Sequence, residues 1–496
     1  MATEAELVFI PGPGMGHLVP TVEMAKLLIG RDPRLSITVL IMELPILDKS
    51  KLISTTQSLL LTAANDRLKF VSLRPQDETA SAELSSKTPP NFLVAFVKMN
   101  KQPVRDRVAK IISTESTRLA GFVVDMFCTE MMDVATEFGV PTYVFFPSSC
   151  AFLGFLFHLD TLSQEDPSQD VTELNDSDVE LEVPVFVNPV PAKVLPSTAM
   201  DKNGGSKFFL DIGKRFREAE GILVNTFEEL ESYPVRRLAE DDKVPSIYPV
   251  GPVIHLGKDE KEADEEVIRV MRWLDNQPPS SVVFLCFGSM GTFDVDQVRE
   301  IAQALEQCGH RFLWSLRQPP PKGKMEIPSE YQDLNQVLPE GFLERTTESV
   351  KVIGWAPQVA VLSHKAVGGF VSHCGWNSVM ESLSCGVPMA TWPMYAEQQM
   401  NAFELVRELG LAVEIKLDYR RNMGFECYED MLVMANEIEK GIRELMGNGD
   451  TCSTKEIKQK VKEMSEKSKI AIRKEGSSYN SIGYFIEDVI SRVHLQ

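Results

Sequence analysis

Residues 368–378 read Gly-Gly-Phe-Val-Ser-His-Cys-Gly-Trp-Asn-Ser, an apolar run that passes through a turn into the start of a helix. The apolar part, residues 369–372, predicts a strand, and a helical pattern begins near Asn377. A strand that leads through a short turn into a helix is the repeating unit of a parallel βαβ sheet. This stretch therefore predicts an α/β fold in which the turn lies at the carboxyl edge of the sheet.

The same alternation of short β-branched runs and longer helical patterns occurs in both halves of the chain, which predicts two parallel-sheet domains. Gly251-Pro252 and the charged stretch 258–266 separate the halves and have the composition of an exposed linker. The predicted strands are residues 7–10, 36–41, 122–126 and 142–146 in the first half and 281–287, 311–316, 350–353, 369–372 and 389–392 in the second.

The chain of 496 residues has the composition of a globular protein, with 43% hydrophobic and 25% charged residues. Its 51 basic and 71 acidic side chains give a formal net charge of −20, which argues against a nucleic-acid or membrane-surface partner. No run reaches the roughly 18 apolar residues of a membrane-spanning helix, and no basic leader precedes the first strand, so we expect a cytoplasmic location. The eight dispersed cysteines are expected to be reduced.

A glycine turn follows the first predicted strand, where residues 10–17 read Ile-Pro-Gly-Pro-Gly-Met-Gly-His. Ligands dock at such strand-to-helix turns. The spacing approaches the dinucleotide fingerprint G-x-G-x-x-G, and Glu43 follows the second strand where a ribose-binding acid would sit. However, the third glycine is missing, and Pro11 and Pro13 remove backbone donors from the loop. An NAD-dependent oxidoreductase therefore remains only as the alternative function.

His17 ends this turn, and its imidazole can accept a proton near neutral pH. Asp125 closes the apolar run 121–125, so both side chains would emerge at the carboxyl edge of one sheet, where a His–Asp pair is sterically plausible. The structural alternatives are a His17 satisfied by local backbone and an Asp125 that caps the next helix. Spacing alone leaves both interpretations open.

Polar turns also follow the strands of the second half. At 373–378, backbone N–H groups meet the positive end of a helix, which in physical terms is a diphosphate site. His373, Asn377 and Ser378 add side-chain donors there, and Ser289 offers another after the strand ending at 287. Helix capping remains the structural alternative for such residues.

Three further interpretations concern groups other than phosphate. Trp355 can stack on a base, although plain core packing is as common for such a residue. Glu381 can hold a ribose diol. Glu397 and Gln398 suit a polyol such as a sugar, or else begin the next helix.

Several other kinds of chemistry find no support in the sequence. The seven histidines are scattered, and no HxxxH, HExxH or paired CxxC motif occurs, so we predict no metal site. The absence of a G-x-S-x-G elbow and of a P-loop argues against an α/β-hydrolase and a kinase.

Residues 355–398 resemble, nearly position for position, the signature box of plant family 1 UDP-glycosyltransferases. The resemblance implies the GT-B fold, with two Rossmann-like domains facing a cleft. Residues 1–251 would bind the acceptor and 252–478 the UDP-sugar, with a final helix at about 479–496 packing back on the first domain. It also implies an inverting, metal-independent transfer of glucose from UDP-glucose, without a further cofactor, to a hydroxyl of a flavonoid, other phenolic or terpenoid, giving a β-O-glucoside.

The same resemblance implies a role for each site residue. His17 would be the base and Asp125 its partner, and Gln398 favours glucose as the sugar. A silent binding protein of this fold would be expected to lose His17 or Asp125, and both are present. The donor-binding set is Trp355 and Ala356 for uracil, Gln358 and Glu381 for ribose, Ser289, His373, Asn377 and Ser378 for the diphosphate, Trp376, Glu397 and Gln398 for the sugar, together with Gly375.

The acceptor pocket is assigned to the variable first half, with one contribution from the second. Its candidates are Met15, Phe146 and Tyr395. Their apolar character fits a flat phenolic or a terpenoid, and ordinary core packing is the alternative for each.

Overall fold

The computed structural model describes residues 5–44, 63, 65–73, 89–114, 118–165, 170–174, 177–255, 265–321, 326–421, 431–447 and 452–495. The chain divides into two compact units. The first comprises Met1–Pro189, Thr198–His255 and Lys469–Gln496, and the second comprises Val190–Ser197 and Leu256–Ser468. The predicted linker at 258–266 lies outside the described residues except for its last two.

Two features differ from the predicted domain ranges. The segment Val190–Ser197, predicted within the first domain, belongs to the second unit. Arg420 of that unit donates hydrogen bonds to the backbone carbonyls of Lys193 and Leu195, at 2.9 and 2.8 Å, which fastens the segment there. The chain also rejoins the first unit already at Lys469, before the predicted final helix.

The strands coincide closely with the apolar runs, because a parallel strand covered on both faces needs a nearly continuous apolar sequence. All six residues of the first strand and all eight of the second are buried. The strands are β1 (Ala5–Ile10), β2 (Leu35–Met42), β3 (Leu68–Leu73), β4 (Arg118–Asp125), β5 (Thr142–Phe146), β6 (Glu180–Leu181), β7 (Val190–Pro191), β8 (Gly221–Val224), β9 (Ser246–Pro249), β10 (Val282–Cys286), β11 (Arg311–Ser315), β12 (Val350–Ile353), β13 (Val367–Ser372), β14 (Met389–Thr391) and β15 (Ala412–Glu414).

The helices alternate with these strands, and several end at a glycine in the left-handed region, as Gly309 and Gly386 illustrate with φ of 68° and 73°. They are α1 (Met15–Arg31), α2 (Pro89–Met99), α3 (Lys101–Thr114), α4 (Met132–Glu137), α5 (Cys150–Glu165), α6 (Ser197–Met200), α7 (Gly205–Arg217), α8 (Ser232–Ala239), α9 (Glu265–Asp275), α10 (Val295–Cys308), α11 (Phe342–Arg345), α12 (Gln358–Leu362), α13 (Trp376–Cys385), α14 (Gln398–Phe403), α15 (Ala435–Met446), α16 (Cys452–Ala471) and α17 (Ser477–Leu495).

Each unit is built on one parallel sheet. In the described part of the first unit the strand order is β3-β2-β1-β4-β5-β8-β9, and every neighbouring pair is parallel. In the second unit the order is β12-β11-β10-β13-β14-β15, again with parallel pairs. Both are the strand order of a Rossmann sheet, so each sheet reverses its winding beside its first strand.

The C-terminal helix α17 packs on strands β4 and β9 of the first unit. Its buried Phe485 contacts the rings of Tyr143 and Tyr248, with centroid distances of 4.9 and 5.6 Å. The hydroxyl of Tyr143 donates a 2.6 Å hydrogen bond to Asp488 on the same helix. The final helix therefore completes the core of the first unit.

Two further expectations from the sequence concern membrane-spanning helices and the state of the cysteines. No helix among the described residues is long and apolar enough to cross a membrane. The described cysteines are free thiols, as predicted: Cys128, Cys150, Cys286, Cys308 and Cys374 are buried, and Cys385 is half-buried.

Replacing Phe485 by alanine is expected to lower the free energy of unfolding of the first unit by about 3–5 kcal/mol, because it leaves a cavity between α17 and the sheet. The neighbouring Tyr484 is 71% exposed, so Tyr484→Ala is the matched control and should change stability by no more than about 0.5 kcal/mol. Hydrogen exchange of β4 and β9 peptides at increasing urea measures this unit alone. Equal losses in the two variants would contradict the packing of α17.

Candidate active site

The first candidate site lies where the sheet of the first unit reverses its winding. Strands β1 and β4 are neighbours, with Ile10 opposite Val124, and the connections that follow them leave in opposite directions. The turn after β1 carries Pro11 to Gly14 into α1, and β4 ends at Asp125. A crevice at the carboxyl ends of such strands is the usual ligand position in this class of sheet.

His17 and Asp125 are in contact in this crevice. The imidazole Nδ1 lies 2.8 Å from one carboxylate oxygen, and the other oxygen accepts a 3.0 Å hydrogen bond from the backbone N–H of Phe127. The Asp125 side chain is fully buried, whereas that of His17 is 24% exposed. An ionised carboxylate can only accept a hydrogen bond, so the neutral imidazole that fits this contact has its proton on Nδ1, and its Nε2 is then the nitrogen able to accept one.

The His17–Asp125 pair explains the glycine at position 12, and no bound dinucleotide is needed to explain it. A Cβ at position 12 would lie 2.4 Å from a carboxylate oxygen of Asp125 and 3.3 Å from Cγ of His17. Gly14, at the start of α1, has φ of 102°, which an L side chain rarely adopts. Gly12 therefore leaves space for the His–Asp pair, and Gly14 allows the backbone conformation with which α1 begins.

Sequence reasoning missed Phe127. Its half-buried ring lies 4.8 Å from the His17 imidazole and 6.0 Å from the ring of Phe208, measured between centroids. The available signal was an aromatic residue two positions after Asp125. The two phenylalanines provide an apolar wall beside the candidate base.

The predicted acceptor residues have different surroundings. Met15 is half-buried at the start of α1. Phe146, by contrast, is fully buried, and its ring packs against Phe152 and Phe216 at 6.0 and 5.8 Å. The prediction that Phe146 lines a pocket is therefore corrected to core packing. Tyr395, in the second unit, is half-buried and lies 6.5 Å from His373 between ring centroids.

The second candidate site lies at the corresponding reversal in the other sheet, between β10 and β13. His373, directly after β13, lies between the turns that follow the two strands. A Cβ at Gly288 would come within 2.4 Å of its Nε2, and one at Gly375 within 2.6 Å. The exposed Ser289 is on the first of these turns, and α13 begins directly after Gly375. The two predicted phosphate turns therefore meet at one imidazole.

The start of α13 has the properties of an anion site. Gly375 occupies the N-cap position, and no side-chain cap bond is formed there within the described residues. The uncapped N–H groups and the helix dipole favour a negative charge. Asn377 is half-buried in the first turn, and Ser378 is buried behind it. Neither residue occupies the N-cap position that the structural alternative required.

His373 is buried and uncharged at neutral pH. Burial, with the positive charge of Arg317 second, lowers the pKa of His373 to about 4. In the part of the chain that the structure describes, its Nδ1 has no hydrogen-bond partner. A buried polar atom of this kind calls for a partner, and a ligand oxygen is the kind of group that fits.

The predicted ribose residues form one cluster with Ser378. The side-chain amide of Gln358 donates hydrogen bonds to Ser378 Oγ at 2.8 Å and to a carboxylate oxygen of Glu381 at 2.7 Å. Trp355 precedes this cluster on the turn after β12 and is 58% exposed, whereas Ala356 is buried. An exposed indole beside a polar cluster is suited to stacking on a base.

The predicted sugar residues are held by the backbone around α14. The side-chain oxygen of Gln398 accepts hydrogen bonds from the N–H groups of Met394 and Tyr395 at 3.0 and 3.1 Å. Glu397 precedes α14 and accepts a 3.4 Å hydrogen bond from Asn401. Trp376, the third residue predicted to contact the sugar, is only 2% exposed. Their contacts with a sugar stay predictions.

Across the described ranges, no group of three or more His, Cys, Asp or Glu side chains is arranged to hold a metal ion.

Two Rossmann-like units, one with a partly exposed histidine on a buried aspartate and the other with an uncapped helix and an exposed tryptophan, indicate an enzyme that transfers a group from a nucleotide. Residues 257–428 match the family described as UDP-glucoronosyl and UDP-glucosyl transferase. UDP-glycosyltransferase 71E1 of Stevia rebaudiana is 54% identical over 98% of this chain and 98% of its own length. A putative UDP-glucose flavonoid 3-O-glucosyltransferase 3 of Fragaria ananassa is 53% identical over 99% of this chain and 100% of its own.

Solved structures agree with these relatives. A UGT transferase of Siraitia grosvenorii in complex with UDP has a TM-score of 0.84 at 47% identity, covering 98% of this chain and 100% of that one. Medicago truncatula UGT71G1 complexed with UDP-glucose has a TM-score of 0.82 at 39% identity, covering 98% of each chain. The chain belongs to the plant family 1 UDP-glycosyltransferases and has the GT-B fold. This membership overturns the oxidoreductase alternative.

Gly12→Ala is expected to reduce kcat about 100-fold, because the added methyl group displaces the His17–Asp125 pair by a large fraction of an ångström. Gly16→Ala is the matched control, since nothing lies within 4 Å of a Cβ at that position. Steady-state turnover of UDP-glucose with an acceptor that the wild-type enzyme glucosylates measures the effect. A Gly12→Ala enzyme with the kcat of the wild type would contradict the steric argument.

Proposed function

We propose that this protein transfers glucose from UDP-glucose to a hydroxyl of a small lipophilic acceptor, a flavonoid, another phenolic or a terpenoid, and forms a β-O-glucoside. The observation that carries the proposal is the 2.8 Å contact between His17 Nδ1 and Asp125. It leaves Nε2 as the proton acceptor that such a transfer needs.

The reaction is a single displacement. Nε2 of His17 takes the proton of the acceptor hydroxyl as its oxygen forms a bond to the anomeric carbon of glucose. The bond between that carbon and the phosphate oxygen breaks, and UDP leaves with the electron pair. Attack on the face opposite UDP inverts the anomeric carbon. Asp125 stabilises the imidazolium that forms, as in other His–Asp pairs.

The leaving UDP gains negative charge in this step, and the second candidate site is suited to stabilise it. The start of α13 offers backbone N–H groups, and His373 and Ser378 add side-chain groups. Donors that are already oriented cost no rearrangement during the reaction, which is why such sites lower barriers effectively. The proposal includes no resident cofactor and no metal.

The relatives support the choice of donor and acceptor. The Medicago truncatula structure holds UDP-glucose, and the Fragaria ananassa relatives are named as flavonoid 3-O-glucosyltransferases. The ring of Phe127 beside His17, and that of Phe208 packed against Phe127, favour a flat or apolar acceptor. Met15 and Tyr395 remain proposed acceptor contacts, and Gln398 remains the proposed determinant of glucose. A cytoplasmic location stays a prediction.

His17→Ala is expected to lower kcat by about 10²–10⁴-fold, the usual contribution of a positioned general base. Asp125→Asn should also lower kcat, because the amide carries no charge to stabilise the imidazolium. The loss should be smaller than for His17→Ala, because the amide can still contact the imidazole. NMR of the product of the wild-type enzyme should give the β configuration. Full turnover by His17→Ala, or a product with the α configuration of the donor, would refute the mechanism.

Calorimetric titration tests the donor site without an acceptor. UDP-glucose should bind more tightly than UDP-galactose, and NADH should not bind. Trp355→Ala should weaken the binding of UDP and of uridine equally, by about 5- to 150-fold in Kd, because stacking acts on the base that both ligands share. Unchanged affinity for both ligands would show that Trp355 does not stack on uracil.

A further inference from the structure

We propose that Arg317 is a positioning residue of the donor site, which fixes the turn at Gly288 and places a permanent positive charge beside the donor diphosphate. The proposal deepens the proposed function and rests on it. Arg317 follows β11, the strand next to β10, and is only 6% exposed. Sequence reasoning did not select it.

Arg317 contacts the predicted phosphate turn at Gly288 and Ser289. Its Nη2 donates a hydrogen bond to the backbone carbonyl of Gly288. The carbonyl of residue 288 and the N–H of Ser289 belong to one planar trans peptide, so they point in opposite directions. The hydrogen bond to the Gly288 carbonyl therefore orients the Ser289 N–H away from the Arg317 side chain. A shift of this peptide would misdirect a donor of the predicted phosphate turn.

Arg317 carries a buried charge that no carboxylate pairs directly. Within the described ranges it forms no ion pair; Glu330 acts on it only beyond ion-pair distance, and burial lowers the pKa of its guanidinium, which nevertheless stays charged. A buried charge without a directly paired counter-ion is costly in a folded protein. A diphosphate at the adjacent turns would supply further negative charge. Binding of the donor then relieves a cost that the empty site carries.

Arg317 also acts on two other predicted donor-site residues, Trp355 and His373. Its guanidinium lies 5.9 Å from the centroid of the Trp355 ring, within the range of a cation–π interaction. Its charge also acts on His373, where it adds to burial in lowering the pKa of the imidazole. Arg317 thus links the phosphate turn, the buried histidine and the tryptophan expected to stack on the base.

The test compares UDP with uridine, which lacks the phosphates. Arg317→Met keeps most of the side-chain length but removes the charge and the donors, and Arg317→Lys keeps the charge. Arg299→Met is the matched control, because Arg299 lies on the surface of α10, where its side chain is 57% exposed. Kd values for both ligands are measured by calorimetry on the full-length protein.

Arg317→Met should weaken the binding of UDP about 10- to 100-fold in Kd, because hydrogen bonds to charged groups contribute free energies of this size. The binding of uridine, which lacks the phosphates, should weaken less than about threefold. Arg317→Lys should recover part of the UDP affinity, and Arg299→Met should match the wild type. Equal weakening of UDP and uridine, or no weakening of either, would overturn the proposal. A wild-type protein that fails to bind UDP would instead refute the proposed function.

NMR of histidine side chains gives a second readout that a merely structural role of Arg317 would not change. In Arg317→Met the pKa of His373 should rise from about 4, because one of the two causes of its lowering is removed. Burial remains, so the pKa should stay below the ordinary histidine value of about 6.5. An unchanged pKa would show that the charge of Arg317 does not act at this site.

Discussion

The parallel alignment of the strands, with a reversal of winding beside the first strand of each sheet, is the constraint on which the rest of the molecule depends. Because every neighbouring pair in the described sheets is parallel, all carboxyl ends of a sheet meet at one edge. The reversal leaves a crevice there, since consecutive connections diverge. His17 and Asp125 occupy this position in the first unit, and Ser289 and His373 occupy it in the second.

Space at these crevices is controlled by glycine. At Gly12 the neighbours are the side chains of the His–Asp pair, and at Gly288 and Gly375 the neighbour is the His373 imidazole. In each case a methyl group would overlap a polar side chain at less than 3 Å. A pattern that first suggests a dinucleotide loop therefore has another physical reason, namely the side chains that the absent Cβ atoms accommodate.

Burial determines how the polar groups of the two sites differ. In the first unit a fully buried carboxylate favours the tautomer of His17 with its proton on Nδ1, so Nε2 can take up a proton. In the second unit burial and a nearby cation keep His373 neutral. The proposed mechanism uses this difference: His17 would change its charge during the reaction, whereas His373 would stay uncharged and hydrogen-bond the donor. Two similar crevices are suited to different chemistry for this reason.

The sequence by itself determined the features that depend on local pattern. The apolar runs predicted most strands of both sheets, although not β3, β8, β9 and β15. The residues that follow the predicted strands included His17, Asp125 and the turns around Ser289 and His373. Tertiary structure decided which side chains meet. His17 and Asp125 are 108 residues apart, and their contact depends on the register of β1 against β4. The burial of Phe146, the aromatic wall at Phe127, the membership of Val190–Ser197 in the second unit and the position of Arg317 could not be predicted, because each results from packing between segments distant in the chain, which leaves no period or spacing in the sequence.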